Sequence, residues 1–200
     1  MGRNSIAKKR TENPKKRLEI ILGLIDFFKK NSLSTSNMDD IALALNRSKA
    51  TLYKYFKSKE AMVEAVIHFK IDAISAFVLI LNDEQIPFFQ RYQKSFDLLQ
   101  EHITDIPNEF MKDLKEVFPE IFLKIERLIE FASAQLAEYY EEGMRRGVFN
   151  NLNARILSQN DFVFFRMLTD ADFLKEQNLS MKEAFKDFYE IRCNGLLANK

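Results

Sequence analysis

The chain has 200 residues, of which 46% are hydrophobic, and only 5 are Gly and 4 are Pro. This hydrophobic content is enough to bury a core and excludes wholesale disorder. Because all-β folds use Gly and Pro at their many turns, the scarcity of both favours a mainly helical protein. Cys193 is the single cysteine, which excludes an intrachain disulfide and fits a cytoplasmic protein.

The formal net charge of +1 hides a strong division along the chain. Residues 1–70 contain 15 Lys and Arg against 7 Asp and Glu, whereas residues 71–200 contain 15 against 22. A basic first third and an acidic remainder indicate that the first third binds a polyanion.

Hydropathy predicts neither a membrane span nor an export signal. The longest apolar stretch, 73–81, is interrupted by Ser75 and is far shorter than the roughly 20 residues that cross a bilayer. Residues 15–28 are basic and then apolar, as in a secretion signal. However, Glu19 and Asp26 interrupt the apolar part, and no small-residue cleavage site follows.

Residues 1–13 are predicted to form a basic, flexible tail. Counted as far as residue 17, the N-terminal segment has seven basic residues and one acidic residue, Glu12. Such a run is either a solvated arm or an arm that lies along DNA phosphates or in a minor groove, and both interpretations stay open.

A first helix is predicted from Asn13-Pro14 to about Asn31. Asn is a favoured N-cap, and Pro suits the first helical turn. Apolar residues then recur at spacings of three and four, which predicts one buried helix face: Leu18, Ile21, Leu22, Ile25 and Phe28.

Two short helices follow within residues 37–56. Ser36 or Asn37 can cap the first, and Ser48 can cap the second. Asn46 lies between them and tolerates the left-handed backbone conformation that a tight turn needs. Two short helices joined by such a turn, after a longer helix, indicate a helix-turn-helix DNA-binding domain over residues 14–58.

The second short helix has the composition of a DNA-reading helix. Leu52 and Phe56 are four residues apart and are predicted to face inward. The remaining side chains are predicted to face outward: Lys49, Thr51, Tyr53, Lys54 and Tyr55. Hydroxyl groups, rigid rings and positive charges suit the donors, acceptors and thymine methyls of a major groove. The alternative is an exposed helix that happens to be aromatic.

Residues 18–66 resemble the TetR family of bacterial helix-turn-helix regulators, without a gap. The resemblance rests on Asp40-Ile41-Ala42, on the segment from Ser48 to Phe56 and on Ser58-Lys59-Glu60. Three positions that are usually Gly in the family are occupied by Ser32, Asn46 and Ala50. The resemblance implies an all-α protein of about nine helices, in which a long fourth helix joins the N-terminal domain to a C-terminal domain.

The resemblance also implies a set of DNA contacts. Lys49, Thr51, Tyr53 and Tyr55 match positions that reach bases or phosphates, and Lys59 matches a phosphate-clamping lysine. Arg47 replaces a usual apolar residue, so it must point outward and is a further candidate for a phosphate. The predicted DNA-binding set is Arg47, Ser48, Lys49, Thr51, Tyr53, Lys54, Tyr55 and Lys59.

Residues 59–200 are predicted to form a helical domain for effector binding and dimerisation. Breaks in the apolar pattern leave a helix over 59–81 and five later ones, which are about 86–103, 107–117, 119–147, 152–171 and 180–197.

The last two of these helices are the predicted dimer interface, over residues 152–197. Apolar stripes follow both of them: Leu152, Ile156, Phe164 and Leu168, then Met181, Phe185, Phe188, Ile191 and Leu196. Burial inside one subunit is the alternative. In the TetR family, the last two helices of each subunit form a four-helix bundle, which the resemblance implies here.

The middle helices are predicted to enclose an effector pocket, as the resemblance implies. Its predicted lining is mostly aromatic: Phe88, Phe89, Tyr92, Phe96, His102, Phe110, Phe118, Phe122 and Phe131. Such a lining would favour a hydrophobic or aromatic ligand. Phe-rich helices are also common in ordinary cores.

No catalytic or metal-binding arrangement is visible in the sequence. His68 and His102 are far apart and have no carboxylate or thiol at metal-ligand spacing. Phosphate-cradling loops and nucleophile motifs are absent from the sequence. We therefore expect no enzyme activity, cofactor or metal, and interpret Cys193 as a small buried hydrophobic residue.

The leading hypothesis is a cytoplasmic, nucleoid-associated repressor that binds a pseudo-palindromic double-stranded operator as a homodimer and is released by a small hydrophobic or aromatic effector. A second hypothesis is a DNA-binding protein of the same fold without a small effector. A third is a lipid carrier or peripheral membrane protein, which would leave the Thr51, Tyr53 and Tyr55 face without a role.

Overall fold

The computed structural model describes residues 13–103 and 106–196, and its regular elements are eleven helices. In chain order they are α1 (Pro14–Phe28), α2 (Met38–Ala44), α3 (Lys49–Tyr55), α4 (Lys59–Ser75), α5 (Phe77–Leu81), α6 (Phe88–Ile103), α7 (Asn108–Val117), α8 (Pro119–Arg145), α9 (Ala154–Leu168), α10 (Ala171–Glu176) and α11 (Met181–Leu196). The predicted all-α fold is confirmed. The tail over residues 1–12 lies outside the described residues.

Side-chain caps set the starts of the first four helices. Asn13 caps α1, with Pro14 in its first turn. Asn37, and not Ser36, caps α2, and Asp40 completes a capping box by accepting the Asn37 N–H at 2.9 Å. Ser48 caps α3 and Ser58 caps α4. Each cap satisfies backbone N–H groups that a helix start leaves unpaired.

The structure has more helices than predicted because one expected continuous stretch is divided and an additional short helix follows the end of another. The predicted helix over 59–81 ends at Ser75, where the Ala76 N–H bonds to the Ala73 carbonyl in a tightened turn at 3.4 Å. The chain then continues as α5. Near the end of the predicted helix 152–171, the Asp170 side chain accepts the Phe173 N–H at 3.0 Å and starts α10 as a separate short helix.

The N-terminal helices enclose a small apolar core. Its central side chains come from α1, α2, α3, α4 and the loop between α1 and α2, and all are fully buried: Leu24, Leu33, Ile41, Leu52 and Met62. Burial of a Leu or Ile side chain contributes about 1.5–3 kcal/mol. This core therefore fixes the orientation of α3 relative to α4.

The C-terminal helices contain a buried polar chain inside an aromatic cluster. The Tyr92 and Tyr140 hydroxyls lie 3.2 Å apart, Tyr140 donates to Asp161 at 2.7 Å, and Arg192 donates from Nε to Asp161 at 2.9 Å. Burial raises the pKa of Tyr140 and, against the opposing effect of Arg192, raises the pKa of Asp161. The chain of contacts joins α6, α8, α9 and α11.

None of the helices in the described part of the chain has the length and apolar composition of a membrane span.

Candidate DNA-binding surface and effector cavity

The turn before α3 has the geometry that the sequence predicts. Asn46 has φ of 50°, in the left-handed region that Asn adopts more readily than most residues. The Arg47 N–H then donates to the Ala42 carbonyl at 2.9 Å, and the Ser48 hydroxyl oxygen accepts the Thr51 N–H at 3.1 Å. These bonds fix where α3 begins relative to α2.

One face of α3 anchors the helix and the opposite face is exposed. Leu52 is fully buried, and Phe56, just after the helix, is 3% exposed. Tyr53 is 49% exposed, and Lys54 is also on the exposed face. A helix anchored on one side in this way can enter a DNA groove with the other side.

Lys49 is paired in the structure. Its ammonium lies 2.7 Å from the Asp39 carboxylate of α2, and this hydrogen bond raises the pKa of Lys49. Both side chains are largely exposed, so the pair adds little stability. A phosphate that approaches Lys49 must therefore compete with Asp39.

The expectation that Tyr55 faces outward is corrected. Tyr55 is 8% exposed and belongs to the core. It lies three residues after Leu52, and residues at that spacing are neighbours on one helix face. The Lys54 ammonium covers the Tyr55 ring at 5.6 Å from its centroid. Tyr55 therefore helps to anchor α3 to the core of the N-terminal helices.

Arg47 is exposed, as expected for a charged residue at this turn. Its guanidinium lies 3.4 Å from the Glu19 carboxylate of α1. This pair is open to solvent on both sides, so Arg47 remains available to a phosphate at small energetic cost.

Lys59 connects the start of α4 to the loop before α2. Its ammonium donates to the backbone carbonyls of Leu33 and Ser36, each at 2.8 Å. Charge-assisted bonds of this kind are stronger than neutral ones. Lys59 therefore positions the loop over residues 32–36. The sequence pattern does not predict this role.

Asp113 of α7 holds the same loop from the C-terminal side. Its carboxylate accepts the Ser32 hydroxyl at 2.8 Å and the Ser34 N–H at 2.9 Å. Partial burial opposes ionisation, but these hydrogen bonds lower the pKa of Asp113 overall. Nearby, the Phe28 and Phe110 rings lie 5.8 Å apart. We call these contacts of Asp113 and Phe110 with residues 28–34 the α7 junction.

An apolar cavity of about 80 Å³ lies on the inner side of α7. Its lining is dominated by aliphatic side chains from α4, α6, α8 and neighbouring segments: Ile67, Lys70, Ile71, Ile74, Leu99, Ile103, Ile106, Met111, Ile125, Leu128, Ile129, Ala132, Phe165, Leu168, Thr169 and Met181. This volume is smaller than the roughly 300 Å³ of typical ligand pockets. The cavity must therefore widen to hold a ligand.

The nine predicted pocket residues do not line this cavity. Tyr92, Phe96, Phe110 and Phe122 are buried elsewhere, Phe88 stacks on Tyr139 at 4.3 Å, and Phe131 is 45% exposed. Phe89, Phe118 and His102 are half-buried. Rings that pack against one another leave little void, so the open space falls among the aliphatic residues.

Two neighbouring details complete the C-terminal domain. Phe110 lines a smaller cavity of about 30 Å³, which shares Ile67, Lys70 and Ile106 with the larger one. Cys193 is half-buried, and burial raises the pKa of its thiol. The described residues contain no group of three potential metal ligands.

Sequence comparison connects the DNA-binding surface to a known family. A family profile described as "Bacterial regulatory proteins, tetR family" matches residues 23–66, from within α1 to within α4. The uncharacterized HTH-type transcriptional regulator YvaF of Bacillus subtilis is 21% identical over 82% of this chain and 86% of its own length. IcaR of Staphylococcus aureus, named as a negative regulator of the biofilm operon icaADBC, is 25% identical over 67% of this chain and 76% of its own length.

Solved structures share the whole fold. The ketosteroid transcriptional regulator KstR2 of Mycobacterium tuberculosis superimposes with a TM-score of 0.64 at 18% identity, covering 94% of this chain and 98% of that one. A transcriptional regulator of Saccharomonospora viridis in complex with choline gives a TM-score of 0.68 at 15% identity, covering 94% and 100%.

Proposed function

Because this chain belongs to the TetR family of bacterial regulatory proteins, we propose that it is a transcriptional repressor that binds a pseudo-palindromic DNA operator as a homodimer and responds to a small hydrophobic ligand. The observation that carries the proposal is α3, which exposes Tyr53 and Lys54 while Leu52 and Phe56 anchor it. The repressor would act in the cytoplasm, at the nucleoid.

The exposed face of α3 supports two kinds of DNA contact. Tyr53 and Thr51 offer hydroxyl groups and apolar surface to base edges. Lys54, Lys49 and Arg47 offer charges to phosphates, which fix position and add affinity without reading sequence.

A dimer is supported by exposed apolar side chains on the last helices, whereas four residues of the predicted stripes are buried within the subunit: Phe164, Leu168, Met181 and Phe185. Ile156 and Val163 of α9 are 62% and 57% exposed, Ile191 of α11 is 72% exposed, and Leu152 just before α9 is 45% exposed. Clustered exposed apolar residues mark interaction surfaces. A two-fold dimer through them would present two copies of α3 to two operator half-sites.

Ligand response is supported by the position of α7. This helix contributes Met111 to the cavity wall and Asp113 to the α7 junction. A ligand that widens the cavity would displace Met111 and with it the loop that Lys59 holds beside α4. The ligand shifts the protein toward this low-affinity state only to the extent that it binds that state more tightly.

The test is selection of the purified chain against random duplex DNA at near-physiological salt. We expect enrichment of a pseudo-palindrome whose half-sites lie about one helical turn apart. Tyr53→Ala is the matched control and should lose the enrichment while it stays folded. Binding that is abolished by salt and enriches no sequence would reject the proposal.

A second candidate is a DNA-binding regulator of the same fold without a small ligand. The cavity volume of about 80 Å³ favours it, because that space is smaller than an ordinary ligand pocket. A screen of hydrophobic compounds by thermal unfolding separates the two candidates. A compound that raises the unfolding temperature and also releases operator DNA excludes the second one.

A further inference from the structure

We infer that the ligand of this protein is an aliphatic chain of the acyl type and not an aromatic compound. This inference rests on the proposed function and narrows its ligand class. The cavity lies where a ligand would act on α7, and twelve of the sixteen described residues that line it are Ile, Leu or Met.

The aromatic residues of the domain are engaged elsewhere. Phe165 is the one ring among the described residues of the cavity lining, and it already packs against Phe164 at 5.8 Å and Phe185 at 6.4 Å. Aromatic ligands gain specificity from stacked or edge-on rings. The cavity wall offers a second ring no such partner, whereas aliphatic surface is complementary to methylene groups.

The small volume of the space and its adaptable wall also favour a flexible ligand. A volume of about 80 Å³ must open before anything large enters. Met111 and Met181 lie in the wall, and unbranched thioether side chains adjust readily to new shapes. A methylene chain can bend to follow the space as it widens, whereas a fused ring is rigid and needs its full width at once.

Charge in the lining disfavours a cationic ligand. Lys70 is 8% exposed and donates to the His102 carbonyl at 3.4 Å, and the lining residues that the structure describes include no acidic side chain. A cationic ligand would bring a second positive charge into this space, and burying that charge is costly unless an anion compensates it. The same aliphatic chain can carry a carboxylate or a hydroxyl head group, and the experiment distinguishes these two ligands.

The experiment uses the full chain with four probes below their micelle-forming concentrations: dodecanoate, dodecanol, 1-naphthoate and dodecyltrimethylammonium. We measure the unfolding temperature with each probe and the affinity for the selected operator. Dodecanoate or dodecanol should raise the unfolding temperature and weaken operator binding about 10-fold. If dodecanoate acts and dodecanol does not, the ligand carries a carboxylate head group.

A cavity-filling variant locates the effect. Ala132→Leu adds side-chain volume to the lining, and Phe131→Leu on the exposed side of the same helix is its control. Ala132→Leu should keep operator affinity and lose the response to the C12 chain, while Phe131→Leu keeps both. If Ala132→Leu lowers the unfolding temperature of the free protein, the smaller Ala132→Val replaces it.

Equal or stronger action by 1-naphthoate or by the cationic probe overturns the inference, as does an unchanged response in the variant that fills the cavity. Operator binding that no C12 probe alters also overturns it, while the DNA-binding function stands. Absence of operator binding rejects the proposed function, and the thermal shift with dodecanoate still reports on the cavity.

Discussion

The carboxylate of Asp113 accepts the backbone N–H of Ser34 at 2.9 Å, across 79 positions of sequence. This bond joins the helix that borders the cavity to the loop that precedes α2. Lys59 holds the Leu33 and Ser36 carbonyls of the same loop from the α4 side. A movement of α7 therefore reaches the DNA-binding domain through a defined pair of groups.

Asp113→Asn should weaken the ligand response more than DNA binding. Asn keeps an acceptor oxygen but loses the charge that strengthens the bonds to Ser32 and Ser34. We expect operator affinity without ligand to stay within about threefold, and ligand-induced release to fall about fivefold or more. Titrations of operator with and without the active C12 probe measure both quantities.

Asp172→Asn is the matched control for Asp113→Asn. Asp172 of α10 pairs at 3.2 Å with Lys112 of α7, the helix that also carries Asp113. This ion pair is exposed and lies away from the loop. This variant should respond to ligand as the original protein does. A normal response in Asp113→Asn would show that the α7 junction does not carry the coupling.

The contribution of Asp113 to stability should be constant near neutral pH and decline in acid. Its pKa is lower in the folded protein than the ordinary value of 3.8, so the carboxylate is stabilising above that value. The contribution is lost as pH falls through the lowered pKa. The difference in unfolding free energy between the original protein and Asp113→Asn should therefore be level between about pH 6 and 8 and shrink below about pH 4.

Lys59→Met should reduce both stability and the salt dependence of DNA binding. Two of the three ammonium donors bond to the Leu33 and Ser36 carbonyls, and their loss should cost about 1–3 kcal/mol. The third donor is available for the predicted phosphate, so the slope of log affinity against log salt should flatten by about one unit. Lys182→Met, on the exposed surface of α11, should change neither property. An unchanged slope with lowered stability would restrict Lys59 to holding the loop.

Tyr53 and Tyr55 should give opposite results when each is replaced by Ala. Tyr53→Ala removes an exposed side chain, so stability should change by about 0.5 kcal/mol or less, while operator affinity falls and base preference relaxes. Tyr55→Ala removes a buried ring and should destabilise the protein by about 3 kcal/mol. Chemical denaturation and operator titration of both variants distinguish them. If Tyr53→Ala and Tyr55→Ala lowered the free energy of unfolding equally, the assigned orientation of α3 would be wrong.

Ile156→Glu and Ile191→Glu should prevent dimerisation. Both side chains are more than half exposed on the last helices, and a charge there opposes burial against a second copy. Sedimentation should show a monomer with unchanged helix content and weakened operator binding. Leu79→Glu is the control, because Leu79 is 74% exposed on α5, outside the proposed interface. A dimer that persists in both Ile variants would place the interface elsewhere.

Features encoded by neighbouring residues were predictable from the sequence. The caps at Asn13 and Ser48 and the left-handed turn at Asn46 depend on a few adjacent side chains, and the structure confirms them. The same holds for the inward face of α3 at Leu52. The outward orientation predicted for Tyr55 is wrong, because a residue three positions after Leu52 lies on the same face of the helix. On α1, Leu18 and Leu22 of the face predicted to be buried are 44% and 46% exposed.

Features that depend on tertiary packing were not predictable. The contact of Asp113 with Ser34 joins groups far apart in sequence, and nothing near either residue indicates a partner. The cavity lies among aliphatic residues because the aromatic rings pack closely against one another and leave little void. This depends on how the side chains pack and cannot be read from the composition. The break at Ala76 likewise has no Gly or Pro to announce it.

The buried polar chain from Tyr92 to Arg192 has a mechanical consequence. Sliding α9 against α11 would separate the buried charges of Asp161 and Arg192, at a cost of about 3–5 kcal/mol. Sliding α6 or α8 would break the hydrogen bonds of the buried Tyr92 and Tyr140 hydroxyls. These helices therefore form a stiff frame, whereas α7 is held to its loop by hydrogen bonds that water can replace. In a dimer formed through α9 and α11, each DNA-binding domain would move relative to the frame of its own subunit, while the distance between the two frames would stay fixed.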